Sequence, residues 1–235
     1  MRTVHVMSFK KRKFFREGVI MKKAIILTVF IAITATVGCA PGEKTLWNGK
    51  DFRGWKLFVT DESVDVQKVW SVKDGVIRCE GKPNGYMRTE ASYSNYKLHV
   101  EWRWVEGEYS NRNSGVLLHI SGPDKVWPKC IEAQLMSGNA GDFWVMNGTG
   151  ITADGKRVQS EPKAQRSPKK YESSEKPIGQ WNSYDIYCKG DNIRCVVNDV
   201  VQNEGTKASV TSGMIGLQSE GAPIEFRNIH IERLK

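Results

Sequence analysis

The chain has 235 residues, 40% of them hydrophobic, with 35 Lys or Arg against 26 Asp or Glu and a formal net charge of +9. Residues 1–38 hold eight of the basic residues and one acidic residue, so residues 39–235 carry 27 basic and 25 acidic side chains, a net charge of +2. This near balance excludes the basic surface of a nucleic-acid-binding protein, and the length suits one domain with a sizeable core.

The first 45 residues predict a leader and a tether. Residues 21–38 start with Met-Lys-Lys, continue with an apolar stretch and end in small residues before Cys39, which is the pattern of a signal peptide. The apolar stretch is short for a membrane-spanning helix. Its end resembles a bacterial lipobox, in which Cys39 would be acylated. We expect residues 1–20 to come from a misassigned upstream start, residues 39–45 to form a tether, and the exported lipoprotein to face the periplasm from its membrane.

Residues 46–235 predict a single all-β domain. Residues 70–79 form a hairpin pattern around Asp74-Gly75, a dipeptide typical of turns with positive φ. Short strand patterns with turn signals between them recur along the rest of the chain, and no long helical period follows the leader. We therefore predict two packed antiparallel sheets in a jelly-roll sandwich rather than a small open barrel. The further strands are expected at residues 96–105, 114–120, 130–136, 181–189, 193–201, 214–218 and 224–234.

Three of these strands alternate apolar and polar side chains. In residues 130–136 the apolar positions enclose Glu132 and Gln134, which must point to the opposite side. A solvated face is one interpretation of each strand alone. If the three strands are neighbours, however, one sheet face combines groups that suit a sugar or acid–base site: Glu101, Arg103, His119, Glu132 and Gln134. The opposite faces predict core positions at Trp102, Trp104, Leu118, Ile131 and Leu135.

Two connecting segments have distinctive compositions. Residues 139–144 place glycine beside Asp142 and end in Phe143 and Trp144, which suits a loop that folds over a sugar ring. Residues 147–178 are rich in Lys, Ser, Pro and Glu and are predicted to form a long surface loop, either a disordered insertion or the wall of a cleft.

The cysteines after Cys39 leave the question of disulfides open. An even number in an exported chain permits disulfides. Cys188 and Cys195 flank a predicted turn, so they could pair or stay as buried thiols. The other two are Cys79 and Cys130.

Five motifs occur in order between Leu46 and Leu234. They are Leu46 to Trp55, Trp70 to Gly75, Asn113 to Val116, Gln180 to Tyr184, and Gly216 to Gln218 followed by Ile224 to Ile229. On these motifs the chain resembles the 3-keto-disaccharide hydrolase domain family. The resemblance implies a concanavalin-A-like sandwich of the lectin and glucanase type, with a ligand cleft on one sheet. It also implies action on glucosides that are already oxidised at C3.

The chemistry implied by the resemblance needs a base. A ketone at C3 acidifies the C2–H bond, so a base can remove that proton and the aglycone can leave from C1. Glu132 matches the family's Glu-x-Gln position and is the predicted base, with His119 as the second catalytic candidate. The chain departs from the family at His119, where many members have Arg, and at Glu220, where many have His. The predicted substrate-binding residues are Glu101, Arg103, Arg112, Asn113, Trp127, Gln134, Asp142 and Trp144.

Other functions stay open at this point. A classical retaining glycosidase of this fold would carry Glu-x-Asp-x-x-Glu along one strand, and the residues after Glu132 lack both later carboxylates. A non-catalytic carbohydrate-binding lipoprotein would use Trp127, Trp144 and Trp181 as platforms, and Glu132 would only bind hydroxyls. The sequence requires no cofactor, and a divalent metal held by His119 and Glu132 is a further alternative. In each case the expected partners are a carbohydrate or glycoside and, through the lipid anchor, a membrane.

Overall fold

The computed structural model describes residues 42–161 and 163–235. The predicted leader and Cys39 therefore lie outside the described residues. Within them, no helix is long and apolar enough to cross a membrane. The described chain folds into strands and one short helix, α1 (Val66–Val69). The side chain of Asp65 caps the start of this helix by accepting a hydrogen bond from the backbone amide of Gln67.

The strands are numbered in chain order. They are β1 (Glu43–Thr45), β2 (Trp55–Val59), β3 (Trp70–Lys73), β4 (Val76–Cys79), β5 (Gly85–Thr89), β6 (Tyr96–Trp104), β7 (Arg112–Asn113), β8 (Gly115–Ser121), β9 (Lys129–Gln134), β10 (Phe143–Met146), β11 (Gly150–Ala153), β12 (Lys156–Gln159), β13 (Gln165–Ser167), β14 (Asn182–Lys189), β15 (Asn192–Val197), β16 (Val200–Thr206), β17 (Met214–Gly221) and β18 (Ile224–Arg233).

These strands form two antiparallel sheets. The ten-stranded sheet has the order β12-β11-β16-β15-β14-β6-β18-β4-β3, with β1 added beside β18. The eight-stranded sheet has the order β13-β10-β9-β8-β17-β5-β2, with β7 added beside β17. Strands that are neighbours in space are often distant in sequence, as expected of a jelly roll. The predicted all-β, two-sheet sandwich is confirmed.

The core lies between the two sheets. The ten-stranded sheet contributes Trp102 and Phe226, and the eight-stranded sheet contributes Leu118 and Ile131, all fully buried in one apolar cluster. The predicted core positions are confirmed, because Trp104 and Leu135 lie in the same cluster. Burial on this scale is the main stabilising contribution to such a domain.

The tight turns follow their sequence signals. Asp74 and Gly75 have φ of 51° and 80° in the predicted hairpin between β3 and β4, and Asn198 and Asp199 have φ of 47° and 66° between β15 and β16. Positive φ at both central positions is the geometry that matches the twist of antiparallel strands. The two hairpins therefore fix the register of their strands.

The segment predicted as a long loop at 147–178 contains three short strands. β11 and β12 form a hairpin that joins the ten-stranded sheet through β16. β13 instead pairs with β10 at the edge of the eight-stranded sheet. The prediction of one long surface loop, either a disordered insertion or a cleft wall, missed these strands, because strands of three or four residues are too short to show a clear period.

The four cysteines of the described chain are free and buried. Burial raises the pKa of the Cys79 and Cys188 thiols to about 12, so they stay protonated at neutral pH and behave as small apolar side chains. Cys188 and Cys195 lie on adjacent strands in the sandwich interior.

Candidate active site

A cavity of about 310 Å³ opens on the outer face of the eight-stranded sheet. Strands β9, β10 and β17 supply its floor, and β7 and three loops supply its rim. This volume is at the lower end of the range of about 300–1,000 Å³ that is typical of small-molecule sites. It is lined by Asn113, Trp127, Glu132, Gln134, Met136, Trp144, Met146, Ala164 and Glu220.

Glu132 occupies the cavity floor because of the strand period. Its neighbours Ile131 and Ala133 point into the core, so Glu132 and Gln134 must point outward into the cavity. The side chain of Glu132 packs over the backbone of Gly115 on β8, which has no Cβ to obstruct it. The glycine in the motif Asn113 to Val116 therefore makes room for the carboxylate.

The carboxylate of Glu132 is shielded from water. The residue is 4% exposed, and its Oε1 atom has no hydrogen-bond partner among the described residues. Burial raises the pKa of Glu132 well above the ordinary value, and the nearby charges of Glu220 and Asp142 raise it further. A carboxylate that no donor stabilises has a high proton affinity once it is ionised.

Glu220 is the second carboxylate of the cavity. Its backbone pairs with that of Asn113. Burial raises the pKa of Glu220, and a hydrogen bond with the Asn113 side chain opposes that rise. Two shielded carboxylates repel each other when both are ionised, so the charge of Glu220 adds to burial in raising the pKa of Glu132.

Two glutamine amides lie near the carboxylates. The Oε1 atom of Gln134 accepts hydrogen bonds from the backbone amides of Leu135 and Met136, both at 2.8 Å, which fixes the orientation of its side chain. Gln218 lies on the same face of β17 as Glu220 and is 2% exposed, and neither polar atom of its amide has a hydrogen-bond partner within residues 42–161 and 163–235. Polar groups of this kind in a cleft orient a hydroxylated ligand.

Two tryptophans and two methionines form the apolar part of the wall. Trp144 stands on β10 directly opposite Glu132 on β9. Trp127 comes from the loop before β9, and its carbonyl accepts a hydrogen bond from the Asn147 side chain. Aromatic faces beside carboxylates and amides suit a sugar, whose C–H face stacks on a ring while its hydroxyls find polar partners.

We predict that Gly115→Ala damages the site but not the fold. A Cβ at this position would overlap Oε1 of Glu132 and lie 2.6 Å from its Cδ, so the carboxylate must move. A displacement of about 1 Å can lower turnover by about 100-fold. The measurement is turnover together with thermal unfolding. Gly155→Ala is the control, because Gly155 has φ of 71° but open space around it, and it should leave turnover unchanged.

His119 does not face the cavity. Strands β8 and β9 change register between Leu118 and Ser121, and His119 has φ of 58° within that irregularity. Its ring turns inward, where it lies edge-on to Tyr96 at 5.6 Å and bonds the Val210 carbonyl through Nδ1. Burial lowers the pKa of His119. The predicted orientation of His119 beside Glu132 was therefore wrong, since a β-bulge reverses the alternation.

Glu101 and Arg103 lie on the other sheet. Their strand β6 sits between β14 and β18 in the ten-stranded sheet, so the assumption that β6 neighbours β8 and β9 was wrong. Glu101 forms an ion pair with Arg227, and Arg103 with Glu225, each at 2.6 Å. These side chains stabilise the opposite surface of the sandwich and do not reach the cavity.

Arg112 and Asp142 hold loops near the cavity. The guanidinium of Arg112 donates to the carbonyls of Tyr109 and Gly107 at 3.1 and 2.6 Å. Asp142 is 1% exposed, pairs with Arg166 at 2.6 Å and accepts from the Lys169 amide at 2.7 Å. Neither lines the cavity, whereas Asn113, Trp127, Glu132, Gln134 and Trp144 do.

Sequence reasoning did not assign a site role to Glu220 or Gln218. The predicted strand stopped at Gln218, although β17 continues to Gly221. Continued alternation would have placed both residues outward, because Ile215 and Leu217, at the alternate positions before them, are core residues.

Residues 42–161 and 163–235 do not present a preformed set of metal ligands. No group of three or more His, Cys, Asp or Glu side chains there is placed to hold a metal ion. In particular, the inward ring of His119 and the outward carboxylate of Glu132 lie on opposite faces of the sheet.

The fold and the cavity define a carbohydrate-active protein of the concanavalin-A-like class, in which a jelly-roll sandwich carries shielded carboxylates between tryptophans. Residues 42–232 match the family described as the 3-keto-alpha-glucoside-1,2-lyase-like domain. The chain belongs to this family, which confirms the resemblance inferred from its motifs. No curated protein sequence matches the chain.

Solved structures share the fold. Two proteins of Parabacteroides distasonis ATCC 8503, both named as glycosyl hydrolases, are 24% and 21% identical to this chain with TM-scores of 0.58. The matches cover 83% and 82% of this chain and 95% and 99% of theirs. The β-glucanase of Bacillus licheniformis is 11% identical with a TM-score of 0.55, over 83% of this chain and 99% of its own. At these identities the likeness shows the architecture alone.

Proposed function

We propose that the protein cleaves 3-keto-glucosides by elimination across C1 and C2. The observation that supports this most is the shielded pair Glu132 and Glu220 in a cavity of sugar-binding character. Family membership supports 3-keto-glucosides as the substrate class, and a ketone at C3 makes the C2 proton removable by a carboxylate. No oxocarbenium route and no covalent glycosyl intermediate are then required.

In the proposed step Glu132 acts as the base. Its ionised carboxylate takes the proton from C2, the C2–H electrons form the C1=C2 double bond, and the C1–O bond to the aglycone breaks. In the reactive form the proton of the pair lies on Glu220, although the stronger shielding of Glu132 favours protonation there. Glu220 gives this proton to the departing oxygen. The pair therefore starts and ends with one proton, and the products are an alcohol and an unsaturated 3-keto sugar. Addition of water across the double bond would give the free 3-keto sugar.

The assignment of Glu132 rather than Glu220 as base follows from their surroundings. Oε1 of Glu132 has no donor to stabilise its ionised form, whereas Glu220 is engaged by Asn113. The less stabilised carboxylate is the stronger base. Trp127 and Trp144 would exclude water and orient the ring, and Gln134 with its fixed side chain would contact a hydroxyl.

The direct test compares a 3-keto-glucoside with its unoxidised parent. We expect release of the aglycone from the keto form alone, detected by chromatography together with the ultraviolet absorption of an unsaturated ketone. Cleavage of the parent at a similar rate would instead favour a classical glycosidase. Binding of both compounds without any product would favour a carbohydrate-binding module, and either result would overturn the proposal.

We also propose that Cys39 carries a lipid that holds the protein at a membrane on the periplasmic side. The support is the lipobox-like end of the leader, and a multiply acylated cysteine supplies the more than one chain that firm anchoring needs. Labelled palmitate should enter the wild-type protein in cells but not Cys39→Ala. Equal labelling of both proteins would contradict the proposal, and Cys79→Ala, which changes a buried thiol, serves as the matched control.

A further inference from the structure

The loop between β8 and β9 carries Trp127 to the rim of the candidate active site. It spans residues 122–128, and no backbone–backbone hydrogen bond holds these residues to any other part of the described chain. The ladder between β8 and β9 starts only at Ser121 and Lys129. Because a loop without such bonds can move locally, the position of Trp127 must be set by contacts of side chains.

Asp124 makes most of these contacts. Its Oδ1 atom accepts hydrogen bonds from Nε of Arg88 at 2.7 Å and from the hydroxyl of Tyr86 at 2.9 Å. Its Oδ2 atom accepts from Nη2 of Arg88 at 3.0 Å and lies 2.9 Å from Nζ of Lys56. Arg88 and Asp124 therefore form a two-point ion pair, and their side chains are only 13% and 12% exposed. Ion pairs with this geometry and shielding contribute more than ordinary surface pairs.

The partners of Asp124 do not belong to the strands that the loop connects. Tyr86 and Arg88 lie on β5, and Lys56 lies on β2. In the eight-stranded sheet β17 separates β5 from β8. The loop therefore reaches across β17 at Asp124, three residues before Trp127.

Two anchors fix the backbone near Trp127. The first is Asp124 together with the amide of Lys125, which donates to the Tyr86 hydroxyl at 3.3 Å. The second is the Asn147 side chain, which donates to the Trp127 carbonyl. Trp127 lines the candidate active-site cavity, whereas neither Asp124 nor Asn147 does. The anchors can therefore affect a bound ligand only through Trp127.

We propose that Asp124 is the positioning residue for Trp127, and that its ion pair with Arg88 fixes the loop so that the indole forms the cavity wall. The consequence for catalysis rests on the proposed function, in which the indole contacts the bound sugar ring. Hydrogen bonds from Arg88 hold the pKa of Asp124 well below its ordinary value, so the ion pair persists at neutral pH. Since Asp124 does not line the cavity, its loss should weaken substrate binding rather than proton transfer.

The direct test measures the accessibility of Trp127 and needs no substrate. Acrylamide quenching of tryptophan fluorescence is compared between wild type and Trp127→Ala, and the difference is the contribution of Trp127. In the Asp124→Asn background this contribution should be quenched more strongly, because asparagine keeps the shape of the side chain but loses its ion pair. Equal quenching of Trp127 in both backgrounds would overturn the proposal.

The kinetic test applies the same variants to a 3-keto-glucoside. Asp124→Asn should raise KM on the order of tenfold while kcat and the acidic limb of the pH profile stay unchanged. A variant that only unfolds would instead lose active protein and therefore apparent kcat. In the Trp127→Ala background, Asp124→Asn should raise KM no further, since the indole that it positions is gone. Independent, multiplying effects of the two substitutions on KM would contradict the assignment.

Glu225→Gln is the matched control. It removes a carboxylate that is 16% exposed and paired with Arg103 on the opposite surface, so it should change neither the quenching of Trp127 nor KM. Arg88→Lys keeps the positive charge but cannot make two parallel bonds. It should raise KM by a smaller factor, and it takes the place of Asp124→Asn in both tests if that variant does not fold. If wild-type protein turns over no 3-keto-glucoside, the proposed function fails, and the quenching test still decides whether Asp124 positions Trp127.

Discussion

Glu132→Gln should lower turnover of a 3-keto-glucoside by about 100-fold or more while its affinity changes little. Glutamine keeps the shape of the side chain over Gly115 but cannot accept the C2 proton. It also removes a carboxylate whose burial is unfavourable, so the variant should be at least as stable as wild type. Single-turnover kinetics and calorimetric binding separate the two effects.

Glu220→Gln separates the acid from the base. If Glu220 protonates the leaving oxygen, its loss should matter for a sugar or alkyl leaving group and much less for an acidic phenol, which departs without a proton. Loss of the base slows both classes, because C2–H cleavage is needed in each. We therefore expect Glu132→Gln to be slowed by about 100-fold or more on both substrates and Glu220→Gln to retain activity on the aryl compound.

The pH dependence of kcat/KM tests the same assignment of Glu132 as the base. The base must be ionised, so kcat/KM should fall as the pH drops through the pKa of Glu132, which burial and the charges of Glu220 and Asp142 place above the ordinary value for a glutamate. Glu220→Gln removes one of these charges and should move this acidic limb to lower pH. The profile is best measured on the aryl substrate, on which that variant stays active.

Three outcomes would contradict this scheme. Near-normal turnover by Glu132→Gln would remove Glu132 from the role of base. If an aryl substrate restored the turnover of Glu132→Gln but not that of Glu220→Gln, Glu220 would be the base and Glu132 the acid. An absence of any primary isotope effect from deuterium at C2, together with no solvent deuterium in the hydrated product, would argue against removal of the C2 proton altogether.

Strand alternation placed Glu132 on the outward face, where it lines the cavity, without knowledge of the fold. The pattern around Glu132 holds because β9 is regular between Lys129 and Gln134, and a regular strand with a buried face has only one way to orient its side chains. The same reasoning failed at His119, where a bulge with positive φ intervenes. No local signal in Leu118-His119-Ile120 distinguishes a bulged strand from a regular one.

The pairing of strands could not be obtained from local patterns either. Strand β6 resembles β8 and β9 in its alternation, yet it pairs with β14 and β18 in the other sheet. Strand β17 brings Glu220 next to Asn113, about a hundred positions earlier in the chain. Such contacts depend on the closing of the whole jelly roll. The strand pattern therefore pointed to Glu132, whereas Glu220 became visible only from the pairing of β17 with β7.

Trp102→Ala should have the largest effect on stability, about 3–5 kcal/mol in the free energy of unfolding. Trp102 is fully buried at the centre of β6 and packs against Tyr184, with ring centroids 5.7 Å apart. Removing the indole leaves a cavity between two sheets whose strands cannot close it by moving independently. Urea unfolding followed by circular dichroism measures the change.

Trp127→Ala is the matched control, because the same side chain is removed from a position that is 38% exposed. Trp127→Ala should cost little stability but lower the affinity for the sugar. Trp102→Ala should lower stability but leave the affinity of the folded protein unchanged.

Trp102→Phe should lose less stability than Trp102→Ala, since phenylalanine keeps most of the packing and removes a buried indole N–H that has no partner among the described residues. Similar unfolding curves for Trp102→Ala and Trp127→Ala would show that the indole of Trp102 is not the central contact between the sheets, and the placement of β6 in the core would then be wrong.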